Sequence, residues 1–149
     1  MSAVCLVALG TALAIACSRS ELEHPQLVRS ADAICRDTTS QLQAVRPVQA
    51  ASREQVGASL QEIANITEAQ LIRLRKLRPV RNDKEPYQRW LGAVDQAAVH
   101  LASAAEALRR GDAIAAQASV RSASDSSKRA EAEARSLGLE ACRSVTASP

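Results

Sequence analysis

A chain of 149 residues has room for one domain and one compact core. Apolar residues make up 46%, yet Phe is absent and Trp90 and Tyr87 are the sole Trp and Tyr, so Ala, Leu, Val and Ile must build that core. This argues against a sheet, whose strands are enriched in β-branched and aromatic residues, and for closely packed helices, since Ala and Leu lead the helix scale. A net charge of +3 with two aromatics also excludes the basic, aromatic-studded face of a nucleic-acid binder.

The chain begins with an uncharged apolar stretch over 3–16 (AVCLVALGTALAIA), followed by Cys17, Ser18 and Arg19, after which the sequence stays polar and charged. Its fourteen residues fall short of the roughly 20 needed to span a hydrocarbon layer as a helix, so it reads as the apolar region of a signal peptide over 1–16. The run Leu13, Ala14, Ile15, Ala16, Cys17 resembles the lipobox of bacterial lipoproteins. That resemblance implies cleavage before Cys17 and lipidation of its sulfur. Ala14, Ile15 and Ala16 also fit ordinary signal cleavage, which would release a secreted protein, and a buried N-terminal helix of a cytosolic protein is the third reading.

Residues 17–26 read as a polar tether. Four helical segments follow. The first, about 27–45, places Ala31, Ile34, Cys35, Thr38, Leu42 and Val45 at steps of three and four before Arg46 and Pro47 end it. In the second, about 53–77, Val56, Leu60, Ile63, Thr67, Leu71, Leu74 and Leu77 share a face; Ser52 is the expected cap and Pro79 the stop. The third, about 83–110, carries Tyr87, Trp90, Leu91, Val94, Ala98, Leu101, Ala105 and Leu108, with Asp83 as expected cap, Pro86 in the first turn and Gly111 beyond the end. The fourth, about 112–137, starts at an Asp112 cap and stops before Gly138; its thin apolar face comprises Ile114, Val120, Ala123, Ala130, Ala134 and Leu137. Residues 144–149 read as a flexible tail.

Amphipathic helices of this length, about 37 Å each, joined by short connections predict an all-α, antiparallel up-down-up-down four-helix bundle over 27–143. If Cys5 leaves with the signal and Cys17 carries lipid, Cys35 and Cys142 remain, and an even remainder in an oxidising compartment reads as a disulfide. Two free buried thiols are the alternative. The topology puts both cysteines at the pole shared by the start of the first helix and the end of the fourth. No CxxC or Cys/His cluster offers a zinc site.

One surface is distinctive: Arg73, Arg75, Lys76, Arg78, Arg81, Lys84 and Arg89 face only Asp83 and Glu85 over the same stretch. A solvated helix end accounts for it, because cations suit a helix C-terminus. The sharper reading uses position. These residues close the second helix and open the third at the pole from which the N-terminus emerges, where they would meet an anionic membrane surface, with Arg29, Arg36, Arg135 and Arg143 as candidates to join them. Tyr87 and Trp90 read as core fillers, with a stacking pair as the alternative. His24 and His100 belong to no metal or haem motif, and Glu54, Glu62, Glu68, Asp95, Glu106, Glu131 and Glu133 are scattered as solvated ion-pair residues. These patterns point away from an enzyme and from any cofactor. The sequon at Asn65 to Thr67 lies mid-helix and reads as chance, and the Ser-rich stretch 119–127 as a fraying helix.

Taken together, the lipobox-like start, Ile34-Cys35-Arg36-Asp37, Leu74-Arg75-Lys76-Leu77-Arg78-Pro79, Tyr87-Gln88-Arg89-Trp90-Leu91 and the closing Leu137-Gly138-Leu139-Glu140-Ala141-Cys142 resemble the small Ala- and Arg-rich helical lipoproteins of high-GC actinobacteria. The resemblance implies export and a two-cysteine helical bundle, and brings no catalytic residue. Two function classes follow: a membrane-tethered interaction or structural module of the cell envelope with an envelope protein as partner, or a carrier of a small apolar or anionic ligand within the bundle. A cavity lined by Trp90 and the alanines of the fourth helix would favour the carrier; a tightly packed core would favour the module.

Overall fold

The computed structural model describes residues 21–45 and 52–145. The signal segment 1–16, Cys17 and residues 146–149 lie outside the described residues. Among the described residues five helices follow in order: α1 (His24–Ala44), α2 (Arg53–Leu74), α3 (Arg81–Arg109), α4 (Ala113–Ser136) and a short α5 (Glu140–Val145). Among the described residues the only strand-like pairing is an isolated parallel bridge between Leu22 and Pro79.

The helix boundaries follow local chemistry. Ser52 and Gln55 form a reciprocal capping box: the Gln55 N–H donates to Ser52 Oγ at 3.2 Å and the Ser52 N–H to Gln55 Oε1 at 2.8 Å. Asp112 Oδ1 accepts from the Ala115 N–H at 2.9 Å, capping α4 as expected. Both α3 and α4 end in a Schellman turn. Gly111 (φ 78°) and Gly138 (φ 70°) adopt the left-handed conformation, while the Asp112 N–H reaches Ala107 O and the Leu139 N–H reaches Ala134 O.

Four boundaries differ from expectation. The helix expected to run from 53 to 77 ends at Leu74, and 75–77 open the turn that follows. The helix expected from Asp83 begins at Arg81, so Asp83 is not its cap; Val80 holds that position without a side-chain bond, and its carbonyl accepts from the Asp83 and Lys84 N–H groups. The stretch read as a tether through residue 26 is already structured from Leu22. Leu22 N–H donates to Arg78 O at 2.6 Å, Val80 N–H donates to Leu22 O at 3.2 Å, and α1 starts at His24 with Pro25 in its first turn. At the other end, residues 144–145 belong to α5 rather than to a tail.

Long-range packing is dominated by α3 against α4 and α2 against α3; α1 lies on α2 and α5, and α5 in turn on α4. The large core side chains gather towards one end: Leu27 and Ala31 of α1, Leu71 and Leu74 of α2, Tyr87, Trp90 and Val94 of α3, Ala130 and Ala134 of α4, then Leu137, Leu139 and Cys142. Cys35 and Cys142 stand at disulfide distance, with sulfurs 2.09 Å and Cα atoms 5.0 Å apart. Elsewhere α3 and α4 bury mainly alanine, Ala104, Ala105 and Ala107 on α3 and Ala116 and Ala123 on α4, while α2 approaches through Gly57, whose Cβ position is 3.5 Å from Ala105 O. Val56, Ile114 and Val120, expected on buried faces, are 40%, 84% and 42% exposed. Small residues close the contact without them. The principal packing runs from helix to neighbouring helix, so these three side chains meet no further layer.

Candidate functional site

The turn between α2 and α3, residues 75–80, is the centre of the basic surface. It starts where α2 runs out at Leu74, whose carbonyl accepts from the Tyr87 hydroxyl at 3.0 Å. Leu74 O also accepts from the Leu77 N–H of the turn at 3.0 Å, so the Tyr87 bond is a second one to that carbonyl, and it fastens the end of α2 to α3. Burial pushes the Tyr87 phenol well above its ordinary pKa. The Tyr87 and Trp90 rings pack tilted at 48° with centroids 5.4 Å apart. Trp90 is 1% exposed, so the pair fills the core. Its indole N–H has no acceptor among the described residues, a cost that the burial of the large ring must offset.

The seven cations divide into two groups. Arg73 pairs with Asp37 of α1; Arg75 Nη2 lies 3.1 Å from Asp95 Oδ1 of α3; Arg89 pairs with Glu85 at 3.0 Å and with Glu133 of α4 at 3.3 Å. These ion pairs are largely exposed, and such pairs contribute about 0 to 1 kcal/mol each. Lys76, Arg78, Arg81 and Lys84 are exposed and have no acidic partner among the described residues. Acids from three other helix positions, Asp37, Asp95 and Glu133, therefore neutralise three of the seven, and the uncompensated charge contracts onto the turn and the start of α3. Of the arginines expected to join, Arg135 pairs with Glu131 at 2.9 Å and Arg143 with Glu140 at 2.7 Å. Arg29 and Arg36 are exposed on α1.

The N-terminal side of the described chain meets this turn. Leu22 is bonded on both sides of Pro79, and His24 Nδ1 lies 3.1 Å from Asp83 Oδ2. Residues 21–22 therefore leave the fold beside Arg78. Neither contact was legible from residue spacing, because each joins positions more than fifty residues apart.

Two open grooves flank Gly92. One, of about 350 Å³, is lined by Arg75, Leu77, Pro79, Lys84, Leu91 and Gly92. The other, of similar volume, lies between α3 and α4 and includes Arg89, Ala93, Arg129 and Glu133. Among the described residues no three His, Cys, Asp or Glu side chains gather as a metal site, and no helix is long and apolar enough to cross a membrane. Comparison with protein-family models, with curated proteins and with solved structures gives no match to this chain.

Proposed function

We propose that this protein is an exported, lipid-anchored, non-catalytic interaction module of the bacterial cell envelope. In this reading α1 to α4 form an antiparallel up-down-up-down bundle, the Cys35–Cys142 pair is a formed disulfide, Cys17 bears the lipid, and the basic pole rests on an anionic membrane surface. The observation that carries it is the pairing of Leu22 with the 78–80 turn. An anchor preceding residue 21 would leave the fold at the place where Lys76, Arg78, Arg81 and Lys84 stand without acidic partners. Anchor and charge then act on the same surface.

The magnitude is adequate for orientation and too small for capture. At about 1 kcal/mol per cation near an anionic leaflet, four such residues supply about 4 kcal/mol. Alone this corresponds to millimolar binding; beside a lipid anchor it fixes which pole faces the bilayer. The core packing favours the module over the carrier, since Trp90 is buried against Tyr87 and Ala130 and Ala134 are fully covered.

The test measures adsorption of the chain to phosphatidylglycerol vesicles and to phosphatidylcholine vesicles across 50 to 500 mM salt, a range taken to bring the Debye length from above 10 Å to below about 5 Å. The expected result is a preference for the anionic vesicles that salt removes and that the double substitution Arg78→Glu, Arg81→Glu abolishes. Equal adsorption by the doubly reversed chain would sink the assignment of the pole. The intact mass of the native chain from its own membrane fraction checks the anchor: a chain beginning at Cys17 and carrying acyl mass is expected.

A further inference from the structure

Of the two grooves beside Gly92, the one between α3 and α4 holds a carboxylate of its own, and its cations are already engaged in hydrogen bonds. Glu133 lines it and pairs with Arg89 at 3.3 Å, while Arg129 is held by Gln96 at 3.0 Å and Ser126 at 2.9 Å. The groove under the 75–80 turn is different. No carboxylate lines it, Lys84 has no acidic partner among the described residues, and Arg75 meets Asp95 through one terminal nitrogen of a guanidinium that carries five N–H donors. Leu77, Pro79 and Leu91 supply apolar wall, and Gly92 keeps the groove open, since a Cβ there meets nothing within 4 Å. An apolar wall beside a guanidinium and an ammonium is complementary to a molecule with a negative head and a short hydrocarbon stem.

We propose that this groove seats the phosphodiester headgroup of one anionic glycerophospholipid. The phosphate sits against Lys84 and Arg75, and the glycerol and first methylenes lie along Leu77, Pro79 and Leu91. A volume of about 350 Å³ lies at the small end of the range of roughly 300 to 1,000 Å³ typical of ligand sites, enough for a head and stem with the acyl chains remaining in the bilayer. Guanidinium and ammonium are the two side chains best suited to a phosphate. The inference rests on the membrane-facing reading of the basic pole and deepens it: the remaining cations give diffuse attraction, and the groove adds one stoichiometric contact.

The test titrates the full-length chain, held in non-ionic detergent, with dihexanoyl phosphatidylglycerol, dihexanoyl phosphatidylcholine or inorganic phosphate. The backbone amide signals of Lys84, Leu91 and Gly92 are followed by nuclear magnetic resonance. Saturable shifts at these amides with phosphatidylglycerol alone are expected, at least tenfold weaker in Lys84→Glu and in Gly92→Leu. Gly92→Leu adds bulk at a residue that lines the groove without altering any charge, and its Cβ position is open, so helical circular dichroism should be unchanged. Equal shifts with phosphatidylcholine, equal shifts with inorganic phosphate, or an unaltered titration in a folded Gly92→Leu each overturn the lipid seat. The two readings fail separately. Salt-sensitive vesicle adsorption that Gly92→Leu retains, with no saturable shift in the wild type, overturns the groove and leaves the basic pole standing. No preference for anionic vesicles removes the pole's membrane role whatever the titration gives.

Discussion

Replacing both Cys35 and Cys142 by Ser is the perturbation with the largest expected effect on stability. The two residues stand at disulfide distance and are 107 positions apart, so the proposed cross-link would close nearly the whole described fold into one loop. On the chain-entropy model, closing a loop of that length removes enough unfolded-state freedom to stabilise the fold by about 4.8 kcal/mol. The native arrangement sharpens the expectation. α1 packs on α2 and on the six-residue α5, and the two cysteines at disulfide distance belong to α1 and α5. With a urea dependence of about 2 kcal/mol/M, the unfolding midpoint should fall by about 2.4 M. The assay is urea denaturation followed by circular dichroism, with amide hydrogen exchange as a second reading. Exchange should rise first in α1 and α5, ahead of the α2 to α4 core. A midpoint that moves by less than 0.5 M would refute the reasoning, as would uniform loss of protection across all five helices.

Two further predictions concern single groups. Tyr87→Phe removes the donor to Leu74 O and should cost about 1 kcal/mol, seen as a lower midpoint. Because burial raises the Tyr87 pKa in the fold, its contribution is fully present below the unfolded value of about 10 and is lost as pH rises beyond it, at up to about 1.4 kcal/mol per pH unit. Denaturation at pH 9 and pH 11 should show that loss in the wild type and a smaller one in Tyr87→Phe; identical slopes would count against the burial argument. Gly111→Ala forces a side chain into a left-handed backbone, where its Cβ also comes within 3.3 Å of an Arg53 nitrogen. A cost of about 1 to 2 kcal/mol is expected by thermal unfolding, and an unchanged transition would show that the turn relaxes.

The long helices were legible because Ala31, Cys35 and Thr38, or Leu71 and Leu74, recur at helical steps and because Ser52, Asp112 and Gly111 supply local capping chemistry. Periodicity marks a stripe without saying whether a neighbour covers it. Ile114 fits the stripe of α4 and is exposed all the same, while Ala116 and Ala123 of the same helix are buried. Asp83 looked like a cap because its carboxylate and the following Pro86 match a helix start; the bond from Val80 O moves that start upstream and frees Asp83 for His24. The basic run was visible as seven cations, but its division was not. Asp37, Asp95 and Glu133 neutralise Arg73, Arg75 and Arg89 across contacts that only tertiary packing creates. α5 went unseen because six residues are too few to show a period, although Asp32 Oδ1 accepts the Ala141 N–H at 3.1 Å and so fixes its first turn from the opposite helix.

The bridge at Leu22 also has a mechanical meaning. Tension applied through the chain before Glu21 reaches the bonds from Leu22 N–H to Arg78 O and from Val80 N–H to Leu22 O before it reaches the first turn of α1. The load passes into the turn that joins α2 to α3, two helices packed along each other in the core, so α1 is shielded from being peeled off its neighbours from the N-terminal end. Leu22 works as a strain relief on a cable: two backbone bonds take the pull, and the helix behind them stays slack.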